Sequence, residues 1–377
     1  MSLIVKIASR NLLQDRLRFV GTVVGIVFSI VLVNIQMGLF LSFDRMVTTM
    51  IDHAPADLWI VPFGTKCFED PSLLDRHDQV QAMAVPGVAQ ATPIVIGFTE
   101  WTVPSGGTTP VFVVGSPETG AGLHPWNFVD GDLAALSAPD AVAIDATYFG
   151  RLGVTQIGDS TEIRDRKVRV AAITNGIRSF TTTPYVFTSL DRAQLYMGTP
   201  PARVSYFLVR LDPGADLAAV RKGLLAGIAK IEVLTPAEFS SRSRAFWLFG
   251  TGAGAALFAG ALLGAIVGTV IVAQTLYSST KDHLNEFATL RAIGSSNLYI
   301  HKIIVSQALL SAVIGFTLAA TIGFVVVEMT AETALPIVMT PELTAGLFLL
   351  TVTMCIASSL AAVVQVVRID PALVFRQ

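Results

Sequence analysis

The chain has 377 residues, of which 52% are apolar and 14% are charged, and its formal net charge is -2. This composition is too apolar for an ordinary soluble domain, and the lack of a basic surplus excludes nucleic-acid binding. The two cysteines, Cys67 and Cys355, lie far apart in the sequence, so a disulfide framework is not expected.

The first element along the chain is residues 1–18, where Ile4, Ile7, Leu12 and Leu13 stand among charged neighbours. This spacing predicts an amphipathic helix that lies along a membrane interface. A frayed polar tail is the alternative, because the spacing is imperfect.

Four long runs without charged residues follow, and each is at or beyond the ~20 residues that a helix needs to cross a bilayer. One run precedes a polar block, residues 44–245, and three runs follow it. We therefore predict an α-helical membrane protein with four transmembrane helices, arranged 1+3 around an external domain. The first run is longer than a signal-peptide core and no small-x-small cleavage site follows it, so we expect it to be retained. The runs are residues 19–43, 246–280, 303–327 and 343–367.

Lysine and arginine residues beside the runs predict the orientation. They precede the first run, occupy the 281–302 connection and recur in the tail, residues 368–377, whereas the 328–342 connection carries only acidic charge. Both termini and the 281–302 loop are therefore predicted to be cytoplasmic. The polar block and the short 328–342 loop are predicted to lie outside.

The polar block has the pattern of an α+β domain. Its two ends, residues 44–116 and 201–245, each contain a strand-helix-strand pattern, and two such units can share one sheet. Residues 117–200 carry turn signals between short apolar runs, which is typical of a small, mostly β insertion. We therefore predict two subdomains, the second inserted into the first, and expect loops of the insertion, such as 175–183, to be free to bind a partner.

The second run, residues 246–280, is longer than a bilayer requires and predicts a helix that projects from the membrane as a rigid stalk. Small residues recur on this run and on the first at the spacing that lets helices approach closely. That contact could be made within one chain or across a dimer. The glycines predicted to pack are Gly21, Gly25, Gly250, Gly254, Gly260, Gly264 and Gly268.

Sequence motifs for catalysis are absent. The chain has no P-loop, HExxH, CxxC or G-x-S-x-G motif, and its five histidines lack metal-ligand spacing, so we expect neither an enzyme nor a metal site. The four runs contain no Asp, Glu, Lys or Arg, which argues against an ion-coupled carrier.

The 281–302 loop contains one short helical pattern. Glu286, Leu290 and Ile293 fall roughly on one helical face, and Gly294 is placed as a helix stop. A helix of this kind can dock in a groove on a cytoplasmic partner. Periodicity alone favours the alternative, a solvated helical hairpin.

Several segments resemble one family. NEFATLRAIGSS in the 281–302 loop, RLRFVGTVVGI at the first run and RIDPALVFR at the C-terminus resemble the FtsX/MacB superfamily of ABC-transporter permeases. APADLWIVPFGT, PIVIGFTEW, DATYFGRLGV and ITNGIRSFTTTPYVFTSL are similar to its DevC branch. These segments occur in the family's order along the whole chain.

The resemblance implies a type VII permease that works by mechanotransmission as a homodimer in the bacterial inner membrane, with a porter-like part and an inserted part in the periplasm. A separate ATPase subunit would bind ATP and magnesium, and this chain would bind no cofactor. A periplasmic membrane-fusion-type adaptor and a TolC-like outer-membrane channel would complete an export route for an amphiphilic, glycolipid-like substrate. FtsX-like signalling to a periplasmic partner and Lol-like lipoprotein extraction are the alternatives.

The resemblance also suggests roles for individual residues of the cytoplasmic side. ATPase coupling is assigned to Glu286, Thr289, Leu290, Arg291 and Gly294, with Arg10 and Arg18 as interface anchors. For the periplasmic adaptor, the exposed-loop argument suggests contact through Asn175, Arg178 and Phe180.

Overall fold

The computed structural model describes residues 3–14, 16–70, 72–118, 120–282, 289 and 293–367. The chain divides into two compact units. A helical unit comprises residues 1–41, 255–331 and 336–377, and an α/β unit comprises residues 42–254 and 332–335.

Ten α-helices are described in these ranges. Four of them are long and apolar enough to cross a membrane, as the four runs predict. The helices are α1 (Leu3–Gln14), α2 (Arg16–Asp52), α3 (Asp78–Met83), α4 (Phe149–Leu152), α5 (Leu190–Met197), α6 (Leu217–Gly227), α7 (Pro236–Arg244), α8 (Ala253–Asp282), α9 (Asn297–Thr330) and α10 (Pro341–Val367).

The rigid extension that the sequence predicts for the second run is found instead on the first. Helix α2 continues without a break to Asp52, nine residues beyond the predicted end at Phe43. Its 37 residues correspond to about 55 Å of helix, well beyond the ~30 Å of a bilayer core. Polar side chains on the last turns of α2 allow this extension, because they are bonded within the α/β unit.

The second run is interrupted, so the predicted stalk starting at Phe246 is wrong. Helix α7 leads into a π-helical turn over Ala245–Gly250, and α8 begins only at Ala253. Gly252 lies between them with φ +77°, a left-handed conformation that glycine adopts without strain. The Thr251 hydroxyl donates to the Trp247 carbonyl over 2.6 Å and accepts from the Ala253 amide over 3.3 Å, which closes one helical segment and starts the next.

The α/β unit is built on twelve strands. They are β1 (Leu58–Pro62), β2 (Leu74–Asp75), β3 (Val88–Thr102), β4 (Thr108–Ser116), β5 (Phe128–Asp130), β6 (Ala141–Asp145), β7 (Ser160–Ile163), β8 (Arg166–Thr174), β9 (Tyr185–Ser189), β10 (Arg203–Val204), β11 (Tyr206–Leu211) and β12 (Ile231–Leu234). Ten of them form one sheet in the order β12-β1-β11-β3-β4-β9-β6-β8-β5, with β7 against β3 and β8, and β2 pairs with β10.

The long strand β3 joins the two halves of this sheet. Residues 88–94 of β3 pair with β11, and residues 95–102 pair with β4. Strand β4 in turn pairs in parallel with β9, which lies inside the predicted insertion 117–200. The insertion therefore shares its sheet and its core with β3 and β4, which the sequence placed in the porter-like part.

This shared core changes how the insertion can be tested. Removing residues 117–200 would delete β5–β9 and uncover the buried valines Val95, Val111 and Val113. Such a deletion would expose core surface on β3 and β4 and promote misfolding. Point substitutions at exposed positions are the informative alternative.

Candidate functional site

A cluster of side chains inside the α/β unit joins the two chain segments that adjoin the first and second apolar helices. We call it the anchor cluster and define it as Phe43, Met46 and Val47 of α2, Glu69, Phe180, Trp247 and Leu335. The Phe180 ring lies 5.0 Å from that of Phe43 and 4.7 Å from that of Trp247, centre to centre, both edge to face. Aromatic pairs in this geometry add about 0.5–1.5 kcal/mol beyond the area they bury.

Polar contacts connect the same two segments. The Arg244 guanidinium of α7 lies 3.1 Å from the Asp44 carboxylate of α2. Two turns further along α2, Asp52 accepts hydrogen bonds from Ser240 over 2.9 Å and from Thr48 over 2.6 Å. These bonds thus connect the end of α2 to α7. If either helix moves as a rigid body, the other must move with it or the bonds must break.

The Glu69 carboxyl is the buried acid of the anchor cluster. Trp247 Nε1 donates to Glu69 Oε2 over 2.9 Å. Burial raises the pKa of Glu69 from 4.5 to about 7, against the opposing hydrogen bond from Trp247. A carboxyl with this pKa changes its protonation state near neutral pH.

The neighbouring Cys67 thiol is also buried. Burial, followed by the nearby Glu69 charge, raises the pKa of Cys67 to about 12. Cys67 is fully inaccessible, so a maleimide reagent should not reach it in the folded protein. A topology experiment on this chain therefore needs a cysteine at another position.

The 175–183 loop reaches the anchor cluster through a network of buried bonds. Asp145 accepts from the Ile177 amide over 2.7 Å and from the Thr174 hydroxyl over 3.1 Å. The Tyr148 hydroxyl accepts from the Ser179 amide over 3.0 Å. These bonds fix the backbone that places the Phe180 ring against Phe43 and Trp247.

This placement corrects one of the predicted adaptor contacts. Phe180 is 6% exposed, so its ring packs inside the protein and is not available to a partner. Asn175 is exposed, and Arg178 is half-buried with its Nε 3.3 Å from the Thr147 hydroxyl. Adaptor contact through Asn175 and Arg178 stays a prediction.

A cleft of about 770 Å³ opens elsewhere on the α/β unit. The end of β1, the β2-β10 ribbon, α3 and the turn before β12 form its walls. Two carboxylates, Asp75 and Asp78, and two cations, Arg203 and Lys230, line it beside the 75% exposed ring of Phe63. Its volume lies in the range typical of ligand sites.

The predicted packing glycines separate into three groups. In the helical unit, a methyl group on Gly25 would lie 2.5 Å from Ile271, one on Gly260 2.8 Å from Gln36 and one on Gly264 3.2 Å from Leu32. A methyl group on Gly268 would overlap Ser29, whose hydroxyl donates to the Gly264 carbonyl over 2.7 Å. These four glycines thus pack α2 against α8 within the chain.

The other three glycines do not take part in this packing. Gly21 has no atom within 4 Å of the position where a side chain would start. Gly250 and Gly254 lie at the break between the π-helical turn and α8, where their nearest neighbours are Phe246 and Leu248 of the same segment. Among the described residues of one chain they do not pack α2 against α8, and a role for them in a dimer face stays a prediction.

The predicted ATPase-coupling residues lie mostly outside the described residues, as Glu286, Leu290 and Arg291 do. Thr289 is exposed, and Gly294 is exposed with φ +100°, which agrees with its predicted place at a helix stop. Arg10 is exposed, and Arg18 donates to the Ser278 carbonyl over 3.4 Å.

Sequence reasoning missed Glu69, Trp247 and the bonds between α2 and α7. The one available signal is Trp247, a large aromatic residue with a polar N–H just inside an apolar run, where such residues find a buried acceptor. Nothing in the sequence points from Trp247 to Glu69.

Two family profiles match the chain. A MacB-like periplasmic core domain matches residues 19–226, and an FtsX-like permease C-terminal domain matches residues 243–371. Among curated proteins, an uncharacterized ABC transporter permease of Mycobacterium bovis is 27% identical over 93% of both chains. Another, from Mycobacterium tuberculosis, is 27% identical over 98% of both.

Solved structures give weaker similarities. The periplasmic region of MacB from Actinobacillus actinomycetemcomitans is 12% identical, covering 51% of this chain and 94% of that one, with a TM-score of 0.39. The extracellular domain of the noncanonic ABC-type transporter YknZ from Gram-positive bacteria is 15% identical, covering 48% and 99%, with a TM-score of 0.36.

Proposed function

The chain belongs to the family of FtsX/MacB-like ABC transporter permeases, and on that premise we propose that it transmits motion from an ATPase to its α/β unit. The observation that carries this proposal is the anchor cluster. Because Phe43 of α2 and Trp247 before α8 both contact Phe180, a displacement of either apolar helix acts on the β-sheet through packed rings. The 37-residue length of α2 suits it to carry such a displacement.

A separate ATPase subunit, which would bind ATP and magnesium, is the proposed source of the motion. Its docking site would be the 281–302 loop, where Glu286 and Arg291 stand within the family-like segment. The permease would act as a homodimer in the inner membrane, and this chain would hydrolyse nothing itself.

We expect the double substitution Glu286→Ala/Arg291→Ala to weaken capture of the ATPase by about tenfold or more, because two interface contacts are lost. The variant should still insert in the membrane and dimerise, because neither position lies in one of the four apolar runs and substitutions away from special structural features change stability by only about 0.5 kcal/mol. Pull-down of the ATPase measures the effect. Lys281→Ala, at an exposed position at the end of α8, is the matched control and should capture normally. Normal capture by the double variant would reject the docking site.

Export is the proposed output. The α/β unit would push an amphiphilic substrate into a membrane-fusion-type adaptor and on to a TolC-like outer-membrane channel, as in the DevC-type branch. On this route the substrate does not pass between the apolar helices. The four runs contain no charged residues, which agrees with such a route because polar pathways through a membrane are usually lined by ionisable groups. The adaptor and channel are identified by what co-purifies with the permease and its ATPase in mild detergent.

Signalling to a periplasmic partner is the second candidate function. The cleft that holds Asp75, Asp78, Arg203 and Lys230 favours it, because it could receive a mixed-charge segment of a partner protein. Co-purification of a cell-wall hydrolase in place of an adaptor would support signalling over export.

The proposed orientation places the α/β unit outside the cytoplasm. We expect a cysteine introduced by Ser105→Cys, at the exposed turn between β3 and β4, to react with a membrane-impermeant maleimide in cells with a permeabilised outer membrane. Gln14→Cys, exposed at the end of α1, should react only after the inner membrane is lysed. Labelling in the opposite order would invert the topology. The unsubstituted chain should label little, because Cys67 and Cys355 are both buried.

A further inference from the structure

The Glu69 carboxyl has no cationic partner among the residues that the structure describes. The charged and titratable groups facing it are the Cys67 thiol and Asp70 on its own loop, Tyr185 of β9 and Tyr206 of β11. The two basic residues in the last turn of α7 are paired elsewhere, Arg244 with Asp44 and Arg242 with Glu232. An ionised Glu69 would therefore be a buried anion that accepts hydrogen bonds from the Trp247 N–H, its own backbone N–H and the Cys67 thiol but faces no cation among the described residues.

The surroundings of Glu69 are tightly packed. Phe68, Tyr185 and Tyr206 are at most 1% exposed, and the Tyr206 hydroxyl donates to the Phe68 carbonyl over 2.9 Å. Burying an unpaired charge in such surroundings is unfavourable, so the closed arrangement favours a protonated carboxyl. An ionised carboxyl favours an arrangement in which it reaches water.

The part that can move to admit water is the segment bonded to Glu69. Trp247 lies in a π-helical turn, an irregular helical geometry, and the helix breaks five residues later at Gly252. Displacing this turn would separate Trp247 from Glu69 and from Phe180 without disturbing the sheet.

We propose that Glu69 is a proton-binding site that controls how tightly Trp247 is held in the α/β unit. With the proton bound, the carboxyl stays buried and the π-helical turn packs against Phe180. Without it, the ionised carboxylate draws in water and the turn loosens. The attachment of the second apolar helix would thus respond to pH in the range around neutrality.

Hydrogen exchange of the backbone amides over residues 243–250, measured by mass spectrometry from pH 6 to pH 8.5, tests this proposal on the full-length protein. After correction for the intrinsic exchange rate, the wild type should exchange several-fold faster at pH 8.5 than at pH 6, with a midpoint near pH 7. Glu69→Gln, which keeps an acceptor for Trp247 but cannot ionise, should be slow at both ends. A wild-type profile that is flat, or parallel to that of Glu69→Gln, overturns the proposal.

A second variant keeps the test decisive if Glu69→Gln does not fold. Trp247→Phe retains an aromatic ring against Phe180 but removes the N–H donor that favours the ionised carboxylate. Its midpoint should therefore shift to higher pH than that of the wild type. An unchanged or lower midpoint would show that Glu69 is not the group that titrates. Neither readout depends on transport, so the proposal can fail while the proposed function stands.

Discussion

Replacing Trp247 by alanine is expected to destabilise the α/β unit by about 3 kcal/mol, at the low end of the range for buried aromatic residues because Trp247 is partly accessible. The substitution removes the ring that packs 4.7 Å from Phe180, centre to centre, and the N–H that donates a hydrogen bond to Glu69. Denaturant unfolding of the purified permease, followed by near-UV circular dichroism, measures the loss.

The same substitution should also reduce the coupling of ATP hydrolysis to motion of the α/β unit. We expect ATP-dependent changes in protease sensitivity of this unit to fall, while ATPase capture is unchanged. Phe249→Ala is the matched control, because Phe249 lies in the same π-helical turn but is 70% exposed. Equal losses in the two variants would mean that the turn, and not the anchor cluster, carries the effect.

Adding one methyl group by Gly268→Ala is expected to destabilise the packing of α2 against α8 by about 1–3 kcal/mol, as overpacking of a tight interface does. The new methyl group would overlap Ser29 and would lie 3.2 Å from the Met354 sulfur, so two helices would have to shift. The thermal unfolding midpoint in detergent should fall by several degrees.

Gly21→Ala provides the matched control on the predicted glycine stripe of α2. It adds the same methyl group where no atom lies within 4 Å and should leave the midpoint unchanged or raise it slightly, since alanine favours helix more than glycine does. The swap Ser29→Gly/Gly268→Ala should restore part of the loss by returning space to the interface. A Gly268→Ala protein as stable as the wild type would mean that α2 and α8 are not packed through this glycine.

Residues that act through local periodicity could be predicted from the sequence. Uncharged runs of more than 20 residues predict helices that cross a membrane, because a bilayer core has a fixed thickness. Glycines four residues apart predict close helix approach, and Gly260, Gly264 and Gly268 do contact α2. Family segments such as NEFATLRAIGSS, combined with these runs, predict the family that both profiles support.

Residues that act through long-range pairing could not be predicted in this way. Glu69 and Trp247 are 178 positions apart, and neither lies in a repeating pattern that would indicate the other. Asp52 at the end of α2 accepts a hydrogen bond from Ser240, and Asp145 accepts one from Ile177 in the loop that carries Phe180. Each is decided by a partner that the fold, and not the local sequence, brings into contact.

Four apolar helices and an α+β unit could be predicted from the sequence because hydrophobic length and alternation are properties of consecutive residues, and the family could be predicted from segments such as NEFATLRAIGSS. Tertiary contacts were needed to show that β3 runs through both halves of one sheet and that the second run breaks at Gly252. They also show that the buried Glu69 carboxyl is bonded to Trp247 of the π-helical turn. Strand register and side-chain burial depend on which distant segments pack together, and the local sequence of a segment does not identify its distant partner.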